Sequence, residues 1–160
     1  MAPKILIAYY SLTGTTMKLA KAIQAAIGGD LFEIQMVHPY PKVYSEVLKA
    51  SKPDWENKVK PPLKKLVENI AEYDIVFIGS PNWFRTMAPP VFSFLAAHDL
   101  AGKKVIPFLT HGGGGISNCF TEAAEATPES THVEGLAIRH NHINEAEQRV
   151  NEWLKEHELI

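Results

Sequence analysis

Two patterns of apolar and polar positions alternate along the chain. Three continuous apolar runs, at 4–10, 73–79 and 103–109, predict strands that are buried on both faces of a sheet. A weaker run at 132–139 predicts another strand. The run at 31–37 alternates more strongly, which is typical of a strand at the edge of a sheet.

Amphipathic segments with helical spacing separate these strands. They predict helices over the ranges 15–27, 62–72, 88–97, 117–126 and 142–157. Five alternations of strand and helix indicate an α/β fold, with a parallel sheet, helices on both faces and right-handed crossovers. We expect a single domain over residues 1–160, a length that can bury a sizeable core.

The segment 38–61 does not follow this alternation. It contains two tyrosines, a tryptophan and four prolines, and it is longer than a typical connection between a strand and a helix. Because it follows the second strand, it should begin at the carboxyl ends of the sheet. We expect a partly helical excursion near the functional site; a surface loop whose aromatic residues serve stability is the alternative.

Composition excludes several classes of protein. The chain is 46% hydrophobic and 21% charged, as in ordinary globular proteins, and its net charge of −2 argues against a nucleic-acid-binding surface. No apolar run approaches the ~20 residues of a membrane span, and no signal peptide is evident near the first strand. The single cysteine, Cys119, excludes an internal disulfide. We therefore expect a cytoplasmic protein.

The first candidate loop, "SLTGTT" at 11–16, places four hydroxyl residues where a strand becomes a helix. Gly14 allows close approach or positive φ, and the helix N-terminus offers free N–H groups to an anion. The loop contains no lysine or arginine and lacks the nucleotide P-loop spacing and the dinucleotide fingerprint. A single phosphate monoester fits it best. A helix cap is the alternative, although a cap explains one hydroxyl rather than four.

Two further loops follow strands that end at the same edge of the sheet. "SPNWFRTMAPP" at 80–90 carries Trp83 and Phe84, which are suited to stacking on a flat ring, although either could belong to the core. "THGGGGISN" at 110–118 has four consecutive glycines, which suits backbone N–H groups close to a ligand edge, or a flexible turn. A flat heterocycle with one phosphate satisfies all three loops, and flavin mononucleotide (FMN) is the obvious candidate.

These motifs resemble those of the flavodoxin-like family. "SLTGTT" is similar to its S-x-T-G-x-T phosphate loop, "GSPNWFRTM" and "THGGGG" resemble its second and third flavin loops, and "YPKVY" at 40–44 resembles a bacterial subgroup of short members. The resemblance covers essentially the whole chain. It implies a three-layer sandwich with a five-stranded parallel sheet of order 2-1-3-4-5, and a bound FMN. The implied cofactor-binding residues are Ser11, Thr13, Gly14, Thr15, Thr16, Pro81, Asn82, Trp83, Phe84, Thr110, His111, Gly112, Gly113 and Gly115.

Two departures bear on the activity. Members of this subgroup usually have glycine at the position of Arg85, and carrier flavodoxins tend to have glycine at that of Phe84, where positive φ favours one-electron steps. We expect Phe84 and Arg85 to resist positive φ. Carriers are also strongly acidic, which a net charge of −2 is not. Both departures favour a reductase over a carrier.

The expected function is therefore FMN-dependent transfer of electrons from NAD(P)H to a small acceptor such as a quinone. His111 would donate a proton and Arg85 would contact an anion. The alternatives are an electron carrier between protein partners and a non-catalytic flavin-binding sensor. A homodimer is possible.

Three other functional interpretations are rejected: a catalytic cysteine, a metal site and a phosphoreceiver domain. Cys119 lacks the following arginine that a phosphate-hydrolysing cysteine needs. His140 and His142 lack a third ligand for a metal, and we interpret them as solvated residues at a helix start, so no metal site is expected. A phosphoreceiver domain needs acidic residues at strand ends that here read "YYS" and "GSP".

Overall fold

The computed structural model describes residues 2–160. The strands are β1 (Ile5–Tyr9), β2 (Asp30–Glu33), β3 (Ile75–Trp83), β4 (Thr86–Met87), β5 (Lys104–His111), β6 (Thr131–His132) and β7 (Leu136–Arg139). The α-helices are α1 (Thr15–Ile27), α2 (Tyr44–Glu56), α3 (Pro89–Ala97), α4 (Cys119–Glu125) and α5 (Ala146–Glu156). Two 3₁₀ helices span Ile70–Glu72 and His140–Glu145.

The sheet confirms the predicted class and order. Its main path runs β2-β1-β3-β5, and β6 and β7 both pair with the far edge of β5, all in parallel. β6 and β7 together form the predicted fifth strand. The sheet has seven strands rather than five because this strand is divided and because β4 adds a short antiparallel pairing with β3.

The division of the last strand is a one-residue bulge. Val105 pairs with His132 and Phe108 with Leu136, so four steps along the last strand match three along β5. Gly135 lies in the bulge, where a Cβ atom would come within 2.3 Å of the carbonyl oxygen of Pro107. A residue without a side chain is needed for this close approach.

Helices cover both faces of the sheet, as predicted. On one face α1 and α5 pack together over β1 and β3, with a core that includes Leu19, Ile23, Phe77, Val150 and Trp153. On the other face α3 packs through Val91 and Phe94 and contacts α2. The continuous apolar runs of β1, β3 and β5 follow from this double coverage.

The predicted helix over 62–72 is wrong. The structure forms a single 3₁₀ turn there, at Ile70–Glu72, and non-helical backbone before it. That backbone pairs with the chain after β2: Val37 N–H donates to the Pro62 carbonyl (3.0 Å) and Lys64 N–H to the Gln35 carbonyl (2.7 Å). Tertiary pairing therefore supplies the hydrogen bonds that a helix would have made internally.

The segment 38–61 is largely helical, because it contains α2 over Tyr44–Glu56. Tyr40 anchors it by donating its hydroxyl to Asp54 (2.6 Å) while its ring packs edge-on against Trp83. The expectation of a partly helical excursion is confirmed, and the alternative of a surface loop is wrong.

Candidate functional site

A cavity opens at the carboxyl ends of the central strands, where the three predicted loops meet. Most of its wall consists of predicted site residues, namely Ser11, Thr13, Thr15, Thr16, Pro81, Asn82, Trp83, Thr110, His111 and Gly112. Three further residues complete it: Leu12, Tyr44 and His140. Gly14, Phe84, Arg85, Gly113 and Gly115 were also predicted for the site but do not line the cavity.

The first loop is shaped as an anion site. Gly14 has a φ of 99°, a left-handed conformation that favours glycine, and it turns the chain into α1. The first backbone hydrogen bond of the helix is donated by Lys18 N–H to the Gly14 carbonyl, so the amides of Thr15 and Thr16 precede it. Together with the dipole of a 13-residue helix, these amides favour a negative group in the cavity.

The four hydroxyls of this loop divide into two kinds. Ser11 Oγ accepts the N–H groups of Gly14 (3.1 Å) and Met17 (3.2 Å), so it caps the turn and keeps only its O–H for a ligand. Thr16 is buried and shares a hydrogen bond with Thr110 (2.8 Å). Within residues 2–160, the hydroxyls of Thr13 and Thr15 have no protein partner, which leaves both available to a ligand.

The paired aromatics of the second loop point to different places. Trp83 is only 4% exposed and packs edge-on against Tyr10 and Tyr40, yet it also lines the cavity. Phe84 instead stacks on Trp55 of α2, with ring centroids 5.0 Å apart and an interplanar angle of 25°. Of this pair, Trp83 is therefore the aromatic that lines the cavity, and Phe84 ties the loop to α2.

Phe84 and Arg85 form the two central residues of the hairpin between β3 and β4, in which Trp83 pairs with Thr86. Their φ angles are 54° and 68°. The expectation that these residues would resist positive φ is wrong. A two-residue hairpin needs left-handed backbone at both central positions to match the twist of its strands, and here strand pairing and the Trp55 stack impose it.

The glycine loop is organised around His111 rather than around the cavity. The N–H groups of Gly113 and Gly115, both with positive φ, donate to His111 Nδ1 at 3.1 Å each. Asn82 donates to the Gly115 carbonyl at 2.8 Å and so joins the second loop to the third. In this structure these two amides hold the histidine, and their predicted role close to a ligand edge stays a prediction.

This arrangement sets the protonation of His111. A nitrogen that accepts two N–H groups carries no proton, so the neutral ring has its proton on Nε2. Burial lowers the pKa of His111, and the nearby charges of Arg139, His140 and Arg149 lower it further. His111 therefore presents a neutral imidazole at neutral pH, with Nε2–H as its available donor.

His140 is exposed and begins the 3₁₀ helix His140–Glu145, as the sequence predicted, and it also lines the cavity. It directly follows Arg139, the β7 residue that pairs with His111, and its Nδ1 lies 3.2 Å from the His111 carbonyl oxygen. No sequence pattern indicated that this residue lies at the cavity, because the register of β7 against β5 places it there. Tyr44 lies in the excursion that was expected near the site.

Cys119, which the sequence analysis rejected as a catalytic residue, is also unsuited to act as a nucleophile in the structure. Cys119 is fully buried, and burial, with Glu122 nearby, raises the pKa of its thiol to about 12. No group of three or more potential metal ligands occurs among residues 2–160. Across that same range, no helix is both long and apolar enough to cross a membrane.

The fold and the three loops are those of an FMN-type α/β sandwich, and comparison with known proteins agrees. The family model described as Flavodoxin matches residues 4–157, so the chain belongs to the flavodoxin family. A candidate flavoprotein from Bacteroides eggerthii DSM 20697 is 34% identical, with a TM-score of 0.82 over 96% of this chain and 97% of that one.

Two further relatives carry functional descriptions of their own. A flavoprotein from Lactobacillus acidophilus NCFM, solved in complex with FMN, has a TM-score of 0.76 at 24% identity over 95% of this chain and 99% of that one. An NAD(P)H dehydrogenase (quinone) from Archaeoglobus fulgidus is 29% identical over 104 residues, 62% of this chain. The matched region spans 52% of that relative, about half its length.

Proposed function

We propose that the protein binds FMN and passes electrons from NAD(P)H to a small acceptor such as a quinone. The observation that carries this proposal is one cavity lined by the α1 N-terminus, by two threonine hydroxyls without a protein partner among residues 2–160, and by Trp83. The donor set suits one phosphate monoester without a cation, and the tryptophan suits a flat ring. The FMN of the Lactobacillus flavoprotein and the quinone activity of the Archaeoglobus relative support it.

The residues of the chain would divide the work. Thr13, Thr15 and the first amides of α1 would hold the phosphate, and Trp83 would lie against the flavin, with Pro81, Asn82 and Gly112 completing the wall. When bound, FMN supplies the hydride and electron chemistry. Because His111 is held neutral, it would serve as a fixed Nε2–H donor rather than as a cationic acid.

Arg85 is proposed to contact an anion at the rim of the site. It is exposed and lies outside the cavity wall, and its carbonyl accepts the N–H of Asn118 (2.9 Å) beside the third loop. This role is compatible with recognition of an anionic substrate and does not require contact with the flavin.

An electron carrier is the second candidate, and one observation favours it. Phe84 and Arg85 have the positive φ that the sequence led us to expect them to resist. The backbone conformation of the hairpin is therefore no argument against one-electron steps. The small net charge of −2 still argues against steering toward a basic protein partner. A flavin-binding sensor is the third candidate.

The first experiment is an absorption spectrum of the purified protein, followed by NADH and NADPH oxidation with a soluble quinone. We expect flavin absorption, extraction of FMN and quinone-dependent turnover. Flavin binding with no turnover on either nucleotide contradicts the reductase and leaves carrier or sensor; separate one-electron phases in an anaerobic reductive titration then identify the carrier. Absence of flavin binding contradicts all three.

Two further expectations stay proposals. A cytoplasmic location is proposed from the single cysteine, which fits a reducing compartment. A homodimer is also proposed, and light scattering of the purified protein tests it.

A further inference from the structure

Two of the three arginines of the chain lie beside the glycine loop. Arg85 is next to it in the second loop, and Arg139 ends β7 opposite His111. The third, Arg149, is on α5, which packs against β7 and the 3₁₀ helix that follows it. The lysines, by contrast, are distributed over much of the chain.

Arg139 lies directly against the loop backbone. Its Nη2, Cζ and Nε atoms would be 3.6, 3.8 and 4.0 Å from a Cβ built on Gly113. The neighbouring His140 covers Gly112 in the same way, with ring atoms at 3.6 Å. Arg139 and His140 together form a basic wall over the glycine loop. Because His140 also lines the cavity, this basic wall lies immediately beside the cavity rim.

The positive charge of this wall is not neutralised within the protein. The ion pairs among residues 2–160 are Lys4–Glu72 and Lys52–Glu56, so neither Arg139 nor Arg149 is within 4.0 Å of a carboxylate. Arg139 is exposed, and its guanidinium can therefore meet a ligand. A planar guanidinium with parallel N–H donors is the side chain best suited to bind phosphate through two hydrogen bonds.

The phosphate loop before α1 already provides for the single phosphate of FMN. An anion bound by Arg139 would belong to a second ligand, positioned next to the flavin. The donor assigned in the proposed function, NAD(P)H, carries phosphate at its pyrophosphate bridge, and NADPH also carries it at the 2′ position.

We propose that Arg139, assisted by Arg149, binds a phosphate group of the nicotinamide dinucleotide while FMN occupies the adjacent cavity. This inference rests on the proposed function and names the residues that recognise its donor. Arg139 would act in binding, not in chemistry.

The test uses FMN-loaded protein and the non-reducing ligands NADP⁺ and NAD⁺, with affinity measured by calorimetry. The variants are Arg139→Gln, Arg139→Lys and Arg149→Gln, and Lys155→Gln is the matched control because it removes the same charge from an exposed position on α5. We expect Arg139→Gln to weaken binding by about 10-fold, Arg139→Lys and Arg149→Gln by less, and Lys155→Gln hardly at all. FMN affinity should be the same in all five proteins.

Equal weakening of NADP⁺ and NAD⁺ places the pyrophosphate on Arg139, and weakening of NADP⁺ alone places the 2′-phosphate there; either supports the proposal. It is overturned if Arg139→Gln binds both nucleotides as tightly as Lys155→Gln does, or if the FMN-loaded wild type binds neither. Failure of the reductase function has a different signature: nucleotides bind through Arg139, but NADPH and NADH are not oxidised.

Discussion

At the scale of single residues, the site works by assigning different tasks to similar groups. Of the four hydroxyls in the first loop, Ser11 and Thr16 are engaged within the protein, whereas Thr13 and Thr15 face the cavity unpartnered. In His111, likewise, Nδ1 accepts two hydrogen bonds from the glycine loop, whereas Nε2 can donate to a ligand. The groups that can bind a ligand are therefore those that make no hydrogen bond within the described part of the protein.

Replacing both Thr13 and Thr15 with alanine should weaken FMN far more than riboflavin. Each hydroxyl would lose a hydrogen bond to a charged phosphate, worth about 1.5–3 kcal/mol, so the loss should be at least about 100-fold for the pair. Fluorescence titration with each flavin measures it. Parallel losses for FMN and riboflavin, or wild-type riboflavin binding as tight as FMN, would contradict the phosphate site.

His111 should make the folded state less stable in mild acid. Burial and neighbouring positive charge lower its folded pKa below the ordinary 6.5, and burial lowers that of His98 as well. Between the folded and unfolded pKa values the unfolded chain binds more protons, so the free energy of unfolding falls as pH drops from about 6.5. Above that pH the stabilisation is complete.

Urea unfolding at a series of pH values measures this dependence. His111→Asn keeps an acceptor for the two glycine amides but cannot titrate, so its loss of stability on acidification should be smaller than that of the wild type. An unchanged pH dependence in this variant would mean that His111 is not the group responsible.

At the scale of elements, the turn of the β3–β4 hairpin has a backbone conformation that its two central residues disfavour. Phe84 and Arg85 both have left-handed backbone conformations, although neither is a glycine or an asparagine, the residues that favour them. The pairing of Trp83 with Thr86 and the stack of Phe84 on Trp55 hold the turn in place. The second loop is therefore fixed from outside, by α2 and the sheet.

Arg85→Gly should stabilise the protein by up to about 1 kcal/mol. Left-handed backbone costs a non-glycine residue about 1–2 kcal/mol, and the greater freedom of glycine in the unfolded chain offsets roughly half of that gain. Chemical denaturation measures the difference. Arg85→Ala is the control, since it removes the same side chain but keeps the strain; equal stability of the two variants would show that the turn is not strained.

At the scale of the whole molecule, the site exists because separate layers converge on it. The cavity takes residues from the loop after β1 and the start of α1, from the carboxyl ends of β3 and β5, from the position directly after β7 and from α2. The 3₁₀ helix His140–Glu145 packs against α1 and brings the last strand close to the phosphate loop. The buried pair Thr16 and Thr110 ties the helix layer to the sheet at the same point.

Mutation of this pair should show strong coupling between the layers. Thr110→Val leaves the buried hydroxyl of Thr16 unpaired and should cost about 1–3 kcal/mol, as should Thr16→Val. The double variant removes both polar groups and should lose less than the sum of the two single changes. A double-mutant cycle in urea tests this, and additive losses would contradict a direct bond.

The sequence by itself determined the layers and most of the cavity wall, and its resemblance to the flavodoxin-like family implied the strand order. Apolar runs and helical spacing are local properties, and loops that follow parallel strands must meet at one edge, so Ser11, Thr13, Trp83 and Thr110 could be brought together without coordinates. The exact start of α1 at Thr15 also follows locally, from Gly14 before it.

Tertiary structure decided the rest, because those features depend on partners distant in the chain. Non-helical backbone at 62–69 replaces a predicted helix because Pro62 and Lys64 pair with residues after β2, and the bulge at Gly135 depends on Pro107. His140 reaches the cavity through strand register, and the left-handed turn at Phe84 is imposed against residue preference by the hairpin and Trp55. Local propensity is worth a fraction of a kcal/mol per residue, whereas pairing and packing supply several, so they prevail wherever the two disagree.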